Sequence, residues 1–262
     1  MKTFVLGIGA QKAGTSWLHK QLTSQPYSDF GFTKEYHVFD HAMIDYNDTE
    51  ILTSEQTAII TNFRENNTEY FDYFQNILSQ DDINLTGDIT PSYTCLSADT
   101  FSHIKQEFNK RNITVKPILI MRDPVYRLHS MAYMDRGPFR NKTDMLSAMH
   151  QLHLGRQDSH RSCYDKAMDN ASKVFGKENI FYTLYEDLFD HNTIDNLSKF
   201  LDLEFINTFN LSDKINAAIS KFPITEDEYV YFKSRYMKIY DYCKNELGLP
   251  IDERWTFNEG LA

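Results

Sequence analysis

Three groups of residues carry side chains that could do chemistry together. The first is the run Gly9-Ala10-Gln11-Lys12-Ala13-Gly14-Thr15-Ser16 near the start of the chain. A glycine loop followed by Thr and Ser, both good helix-start residues, offers main-chain N–H groups and a positive helix end to an anion, and Lys12 adds a cation. The second is Glu35, His37 and Asp40, where a carboxylate and an imidazole two residues apart suit proton transfer. The third is Arg122 with Ser130, about two helical turns later. A bidentate guanidinium and a hydroxyl make a sound pair for one phosphate. Each group also has a plain structural alternative: a glycine turn closing a strand–helix unit, a solvated Glu and His, and an Arg122–Asp123 ion pair at a helix start.

The elements around these residues must place them. Phe4 to Ile8 has the length and β-preference of a buried strand, and Trp17, Leu18 and Leu22 fall at helical spacing after Thr15. Val115 to Met121 is a second apolar strand, with Pro124 suited to the first turn of the helix after it. Arg122 therefore stands at the C-terminal end of a strand, where open α/β sheets bind ligands. Strand, loop and helix at both motifs predict one α/β domain over residues 1–262, with Phe4–Ile8 inside a parallel sheet and Val115–Met121 beside or near it. Glu35, His37 and Phe39 alternate, as on one face of an extended segment. Helices are expected over 53–63, 68–79, 97–108, 143–153, 162–175 and 193–202, with strands over 83–88 and 179–184. Residues 225–247 read as one long closing helix with an aromatic, apolar side.

Bulk properties narrow the function classes. A net charge of −10 argues against a general nucleic-acid binder. The three cysteines, Cys95, Cys163 and Cys243, are far apart and lack a Cys-x-x-Cys pair, which suits a reduced compartment without a disulfide framework or zinc site. No apolar run approaches a membrane span, and the first strand begins almost at once, so the expectation is a cytoplasmic protein without signal peptide or anchor.

The Gly9 to Gly14 spacing resembles a nucleotide P-loop with one change: Thr15 stands where the lysine belongs, and the loop's lysine is Lys12. Gln11-Lys12-Ala13-Gly14-Thr15-Ser16 resembles instead the 5′-phosphosulfate loop of the sulfotransferases that use PAPS, 3′-phosphoadenosine 5′-phosphosulfate. Arg122-Asp123-Pro124, with Arg127 and Ser130, resembles their 3′-phosphate motif. Lys34-Glu35-x-His37-x-Phe39-Asp40 resembles a segment of the heparan-type and related carbohydrate sulfotransferases. Further echoes are Thr90-Pro91-Ser92-Tyr93, Tyr164, and Glu186-Asp187-Leu188 after a strand.

The resemblance implies a P-loop-like three-layer α/β fold and sulfuryl transfer from PAPS to a hydroxyl or amine of a small-molecule or glycan acceptor, without a metal. Glu35 matches the family's base, and His37 and Asp40 match residues that orient it or the acceptor. Lys12 matches the lysine that offsets charge on the bridging oxygen. Gln11, Ala13, Gly14, Thr15, Ser16 and Trp17 would complete the phosphosulfate cradle, Arg122 and Ser130 would bind the 3′-phosphate, and Tyr164 would add to the donor site. Two departures stand out. Ile89 occupies the position before Thr90 where heparan-type enzymes usually carry a second lysine, and the C-terminal Lys/Arg-Gly loop that closes over the donor is missing, with Lys221 as substitute. Rival readings are a P-loop kinase or NTPase and a non-catalytic PAP-binding module.

Overall fold

The structure, a computed structural model, describes residues 1–42, 52–155, 161–207, 209–211 and 222–258. Its centre is a four-stranded, all-parallel sheet in the order β2-β1-β3-β4, formed by β1 (Thr3–Gly9), β2 (Leu85–Ile89), β3 (Thr114–Met121) and β4 (Phe181–Leu184). Helices flank it. Every residue of β1 and β2 is buried, the signature of parallel strands covered on both faces. Phe4 opens an aromatic core: its ring stacks 4.1 Å from Phe108 and meets Phe74 edge-on at 4.9 Å. Pro117 is tolerated inside β3 because β4 pairs with that strand only from Ile118 onward.

The helices α1 (Thr15–Thr23), α2 (Ser54–Glu65), α3 (Asn67–Leu78), α4 (Ala98–Lys110), α5 (Pro124–Arg136) and α6 (Lys142–Leu154) fall close to the expected spans. So do the later helices Tyr164–Phe175 and His191–Leu201. Their starts obey local chemistry: Thr53 and Gln56 form a capping box, Ser97 caps α4, and Asp123 caps α5 ahead of Pro124.

The single helix expected over 225–247 is instead two, Glu226–Lys233 and Met237–Asn245. Along an unbroken helix, Tyr229 and Tyr240 would lie about 16 Å apart at 1.5 Å rise per residue. Here their hydroxyls are 3.4 Å apart, and both donate to the buried Asp123 carboxylate, at 2.7 and 2.6 Å. The chain must fold back to bring both there. It does so through tight bonds from Arg235 N to the Phe232 carbonyl and from Tyr236 N to the Lys233 carbonyl. Asp123 is thus occupied by the capped Val125 N–H and two tyrosines, a different arrangement from the Arg122–Asp123 ion pair that the sequence offered.

Candidate active site

The first loop leaves β1 at Gly9 and is tied to the sheet by Ala10 N donating to the Ile120 carbonyl at 2.7 Å. Lys12 adopts a left-handed backbone, φ 65°, and Gly14 another, φ 88°. Gly14 also has no room for a side chain, since a Cβ there would stand 2.7 Å from Leu188 Cδ2 and 3.1 Å from Tyr185 Cδ2. Gly14 is the N-cap of α1 and brings no side-chain cap. The first N–H groups of a helix have no intrahelical partner, so this helix start is built to be capped from outside. The groups available there to hold a phosphosulfate are the main-chain donors, the left-handed loop lysine Lys12, and the Thr15 and Ser16 hydroxyls.

Arg122, at the end of β3, reaches the same loop. Its Nη1 donates to the Lys12 carbonyl at 3.0 Å, and its guanidinium lies 4.5 Å from the centre of the Tyr185 ring. Tyr164 is fully buried and its hydroxyl donates to the Arg122 carbonyl at 2.9 Å, fixing the strand end. Gln11 Oε1 accepts from Arg161 Nη1 at 2.8 Å. The Trp17 indole is committed to the core, donating to the Asn210 carbonyl at 2.9 Å and meeting Phe189 edge-on, so what Trp17 can offer an anion is its main-chain N–H. Ser130 lies buried on α5. Its neighbour His129 bonds the Phe222 carbonyl at 3.0 Å, which brings the chain back to α5 beside Ser130; Lys221 itself lies outside the described residues.

The second cluster sits against the loop. Lys34 Nζ donates to Ser16 Oγ at 3.2 Å and also pairs with the Glu35 carboxylate. Glu35 Oε2 is 3.2 Å from His37 Nε2, and His37 Nδ1 is 3.0 Å from Asp40 Oδ2. Asp40 is fully buried and accepts the Ser92 hydroxyl. Burial alone would push the Glu35 carboxyl up, but the Lys34 ammonium, with the hydrogen bond and charge of His37, overrides it and holds the group at about 2. Burial would likewise lower His37, but its bonds to Asp40 and Glu35 raise it to about 9. Near neutral pH the pair is therefore a carboxylate against an imidazolium.

The expected extended face of Glu35, His37 and Phe39 does not form. Residues 35–40 are irregular, and His37 takes a left-handed φ of 50°. This turn brings Glu35, His37 and Asp40 together but sends Phe39 into the core, 5.2 Å from the Tyr70 ring. The segment is pinned by β2 and by the residues just beyond that strand. Thr90 Oγ1 accepts Tyr36 N at 3.1 Å, and buried Asp88 accepts Tyr70, Tyr93 and Thr90 hydroxyls at 2.9, 2.7 and 2.6 Å. Arg64 Nε, from α2, donates to the His37 carbonyl at 3.0 Å.

Lys34 belongs to the motif read from the sequence, and its pairing with Glu35 is the structural alternative that the motif allows. Sequence reasoning misses three participants. Tyr185 stands just past β4, the same strand-end position that singles out Arg122. Arg64 and Arg161 act across long sequence separations that nothing local marks. Ile89, where the second lysine is absent, is buried, and its N–H donates to the Lys34 carbonyl at 3.0 Å. Lys34 thus supplies a cation at this corner of the sheet.

Comparison with known proteins agrees with this fold. The family model described as sulfotransferase domain matches residues 2–228. The chain belongs to that family, the sulfotransferases that take PAPS as sulfuryl donor. Solved structures share the fold at low identity. A sulfotransferase from Alicyclobacillus acidocaldarius superposes with a TM-score of 0.65 at 15% identity, covering 97% of this chain and 98% of that one. The sulfotransferase domain of the Synechococcus PCC 7002 olefin synthase gives 0.52 at 13% identity, covering 90% and 96%. Mouse sulfotransferase SULT7A1, complexed with PAP, gives 0.50 at 12% identity, covering 97% and 89%. No curated relative matches the sequence. Cys95, Cys163 and Cys243 form no disulfide, and among the described residues no helix is long and apolar enough to cross a membrane.

Proposed function

We propose that this protein moves the sulfuryl group of PAPS to a hydroxyl or amine of an acceptor, a glycan or a small molecule, with Glu35 as the base. The observation that carries the reading is the 3.2 Å contact from Lys34 to Ser16, which joins the Glu35–His37–Asp40 cluster to the anion-binding helix start. On this reading the α1 N-terminus and loop residues Gln11 to Ser16 hold the phosphosulfate, and Arg122 with Ser130 holds the 3′-phosphate. Tyr164 supports that end, and Lys221 is the candidate to close over the donor. Lys12 offsets the charge that grows on the bridging oxygen as the sulfur–oxygen bond to PAP breaks. Glu35 accepts the acceptor's proton as the new bond to sulfur forms, while His37, held by Asp40 and Ser92, fixes the carboxylate. Positioning and charge stabilisation then carry most of the rate, as in phosphoryl transfer.

The test is direct. The protein is incubated with labelled PAPS and a panel of glycans, lipids, small alcohols and amines, with and without magnesium, and PAP and ADP affinities are compared. Label transfer without magnesium and a clear preference for PAP support the reading. Magnesium dependence with ADP preferred points to a nucleotide kinase, and tight PAP binding with no transfer to any acceptor points to a binding module.

A further inference from the structure

A carboxylate held at about 2 is a poor proton acceptor at neutral pH, because a base works best with a pKa near the working pH. The largest cause of that low value, ahead of His37, is also the residue that touches the anion-binding loop proposed above. Lys34 has three N–H donors, and its ammonium contacts both Glu35 and Ser16 Oγ. Its carbonyl is fixed by Ile89 N, so freedom at this position belongs to the side chain. Ser16 is in the first turn of α1, where a phosphosulfate would seat. An ammonium already 3.2 Å from that hydroxyl needs only a change of rotamer to reach an anion bound there.

We infer that Lys34 is a donor-sensitive latch on Glu35. In the free protein it pairs with the Glu35 carboxylate; with PAPS bound it turns to the sulfuryl oxygens and leaves Glu35 able to accept the acceptor's proton. The inference rests on the reading of Glu35 as the base. Among the described residues, His37 and His19 also bear on Glu35. His37 stays paired with it and with Asp40 on the far nitrogen. From α1, His19 feels both Lys34 and Glu35, but burial, helped by the Lys34 charge, lowers it to about 4, so it is neutral and does not replace the lysine. Proton abstraction is thereby tied to donor occupancy, and the same ammonium then stabilises the transferring group.

The experiment tracks the Glu35 carboxyl carbon by NMR between pH 4 and 7, with the resonance assigned through Glu35→Gln. In the free protein and with PAP, which lacks the sulfuryl group, the resonance stays that of a carboxylate. With PAPS the low-pH end of the window shows the onset of titration, His37 still holding part of the shift, and free Lys34→Met shows the same onset without any ligand. Lys34→Met also loses about 10- to 100-fold in PAPS affinity, the equivalent of one charge-assisted bond, and much less in PAP affinity. Lys34→Arg restores part of the difference. A Glu35 resonance that is flat with PAPS as with PAP, or equal losses of PAPS and PAP in Lys34→Met, overturns the latch. Failure of the base reading looks different: Glu35→Gln would keep full turnover, whatever the two affinities of Lys34→Met.

Discussion

Replacing Glu35 by Gln keeps the side chain's shape and removes its charge. The carboxyl sits at about 2 against an ordinary 4.5, so the native contacts favour the ionised form by on the order of 3 kcal/mol at 1.36 kcal/mol per unit. Because the folded value is depressed, this stabilisation is present above pH 4.5 and is lost as pH falls toward 2. Part of it is the same interaction that raises His37, so the amide should cost less than the full sum, roughly 1–3 kcal/mol of stability at pH 7. Turnover at saturating donor and acceptor should fall by about 10²–10⁴-fold, the range for general acid–base catalysis. PAP affinity should hold or rise slightly, because Lys34 is released from its carboxylate partner. Turnover, PAP affinity by calorimetry and melting temperature on the one variant decide the matter. If turnover stays near wild type while PAP affinity and melting temperature drop together, Glu35 is only the anchor that holds Lys34 at the loop, and the reasoning is wrong.

Arg122→Ala should weaken PAP by roughly 10- to 100-fold more than adenosine 5′-phosphate, the loss of a charge-assisted contact to the 3′-phosphate. Equal losses would mean that Arg122 serves only the Lys12 carbonyl. Because His37 is raised to about 9, its contribution to stability is full below pH 6.5 and disappears as pH climbs through 9; urea titrations at pH 6 and 10 should show it, and Asp40→Asn should shrink the difference. Gly14→Ala should cost donor binding and at least 1 kcal/mol of stability, since the new methyl needs a left-handed φ of 88° and meets Leu188 at 2.7 Å; unchanged PAP affinity would remove Gly14 from the cradle. Tyr240→Phe should destabilise by about 1–3 kcal/mol, because Asp123 loses a buried donor; a neutral result in chemical denaturation would undo the account of the broken helix.

The strand–loop–helix pattern at Phe4–Ser16 and at Val115–Ser130 is legible in the sequence because it is local. A buried parallel strand must be a continuous apolar run, and a phosphate cradle needs glycine and a helix start within a few residues of it. That is enough to identify the α/β class and to single out the glycine loop and the strand-end arginine as candidates. The alternation of Glu35, His37 and Phe39 misleads, because period-two geometry fails where a left-handed residue at His37 turns the chain. Only the packed structure decided that Lys34 is shared between Glu35 and Ser16, that Thr90 and Asp88 hold the Glu35 segment, and that Arg64 and Arg161 reach in from elsewhere. It also decided the break between Tyr229 and Tyr240, whose helical periodicity continues past the turn. Periodicity records which faces are apolar; it does not record a buried carboxylate more than a hundred residues away that must be satisfied from both sides. Hydrogen bonds that span such separations have no local signature, so tertiary packing alone could set them.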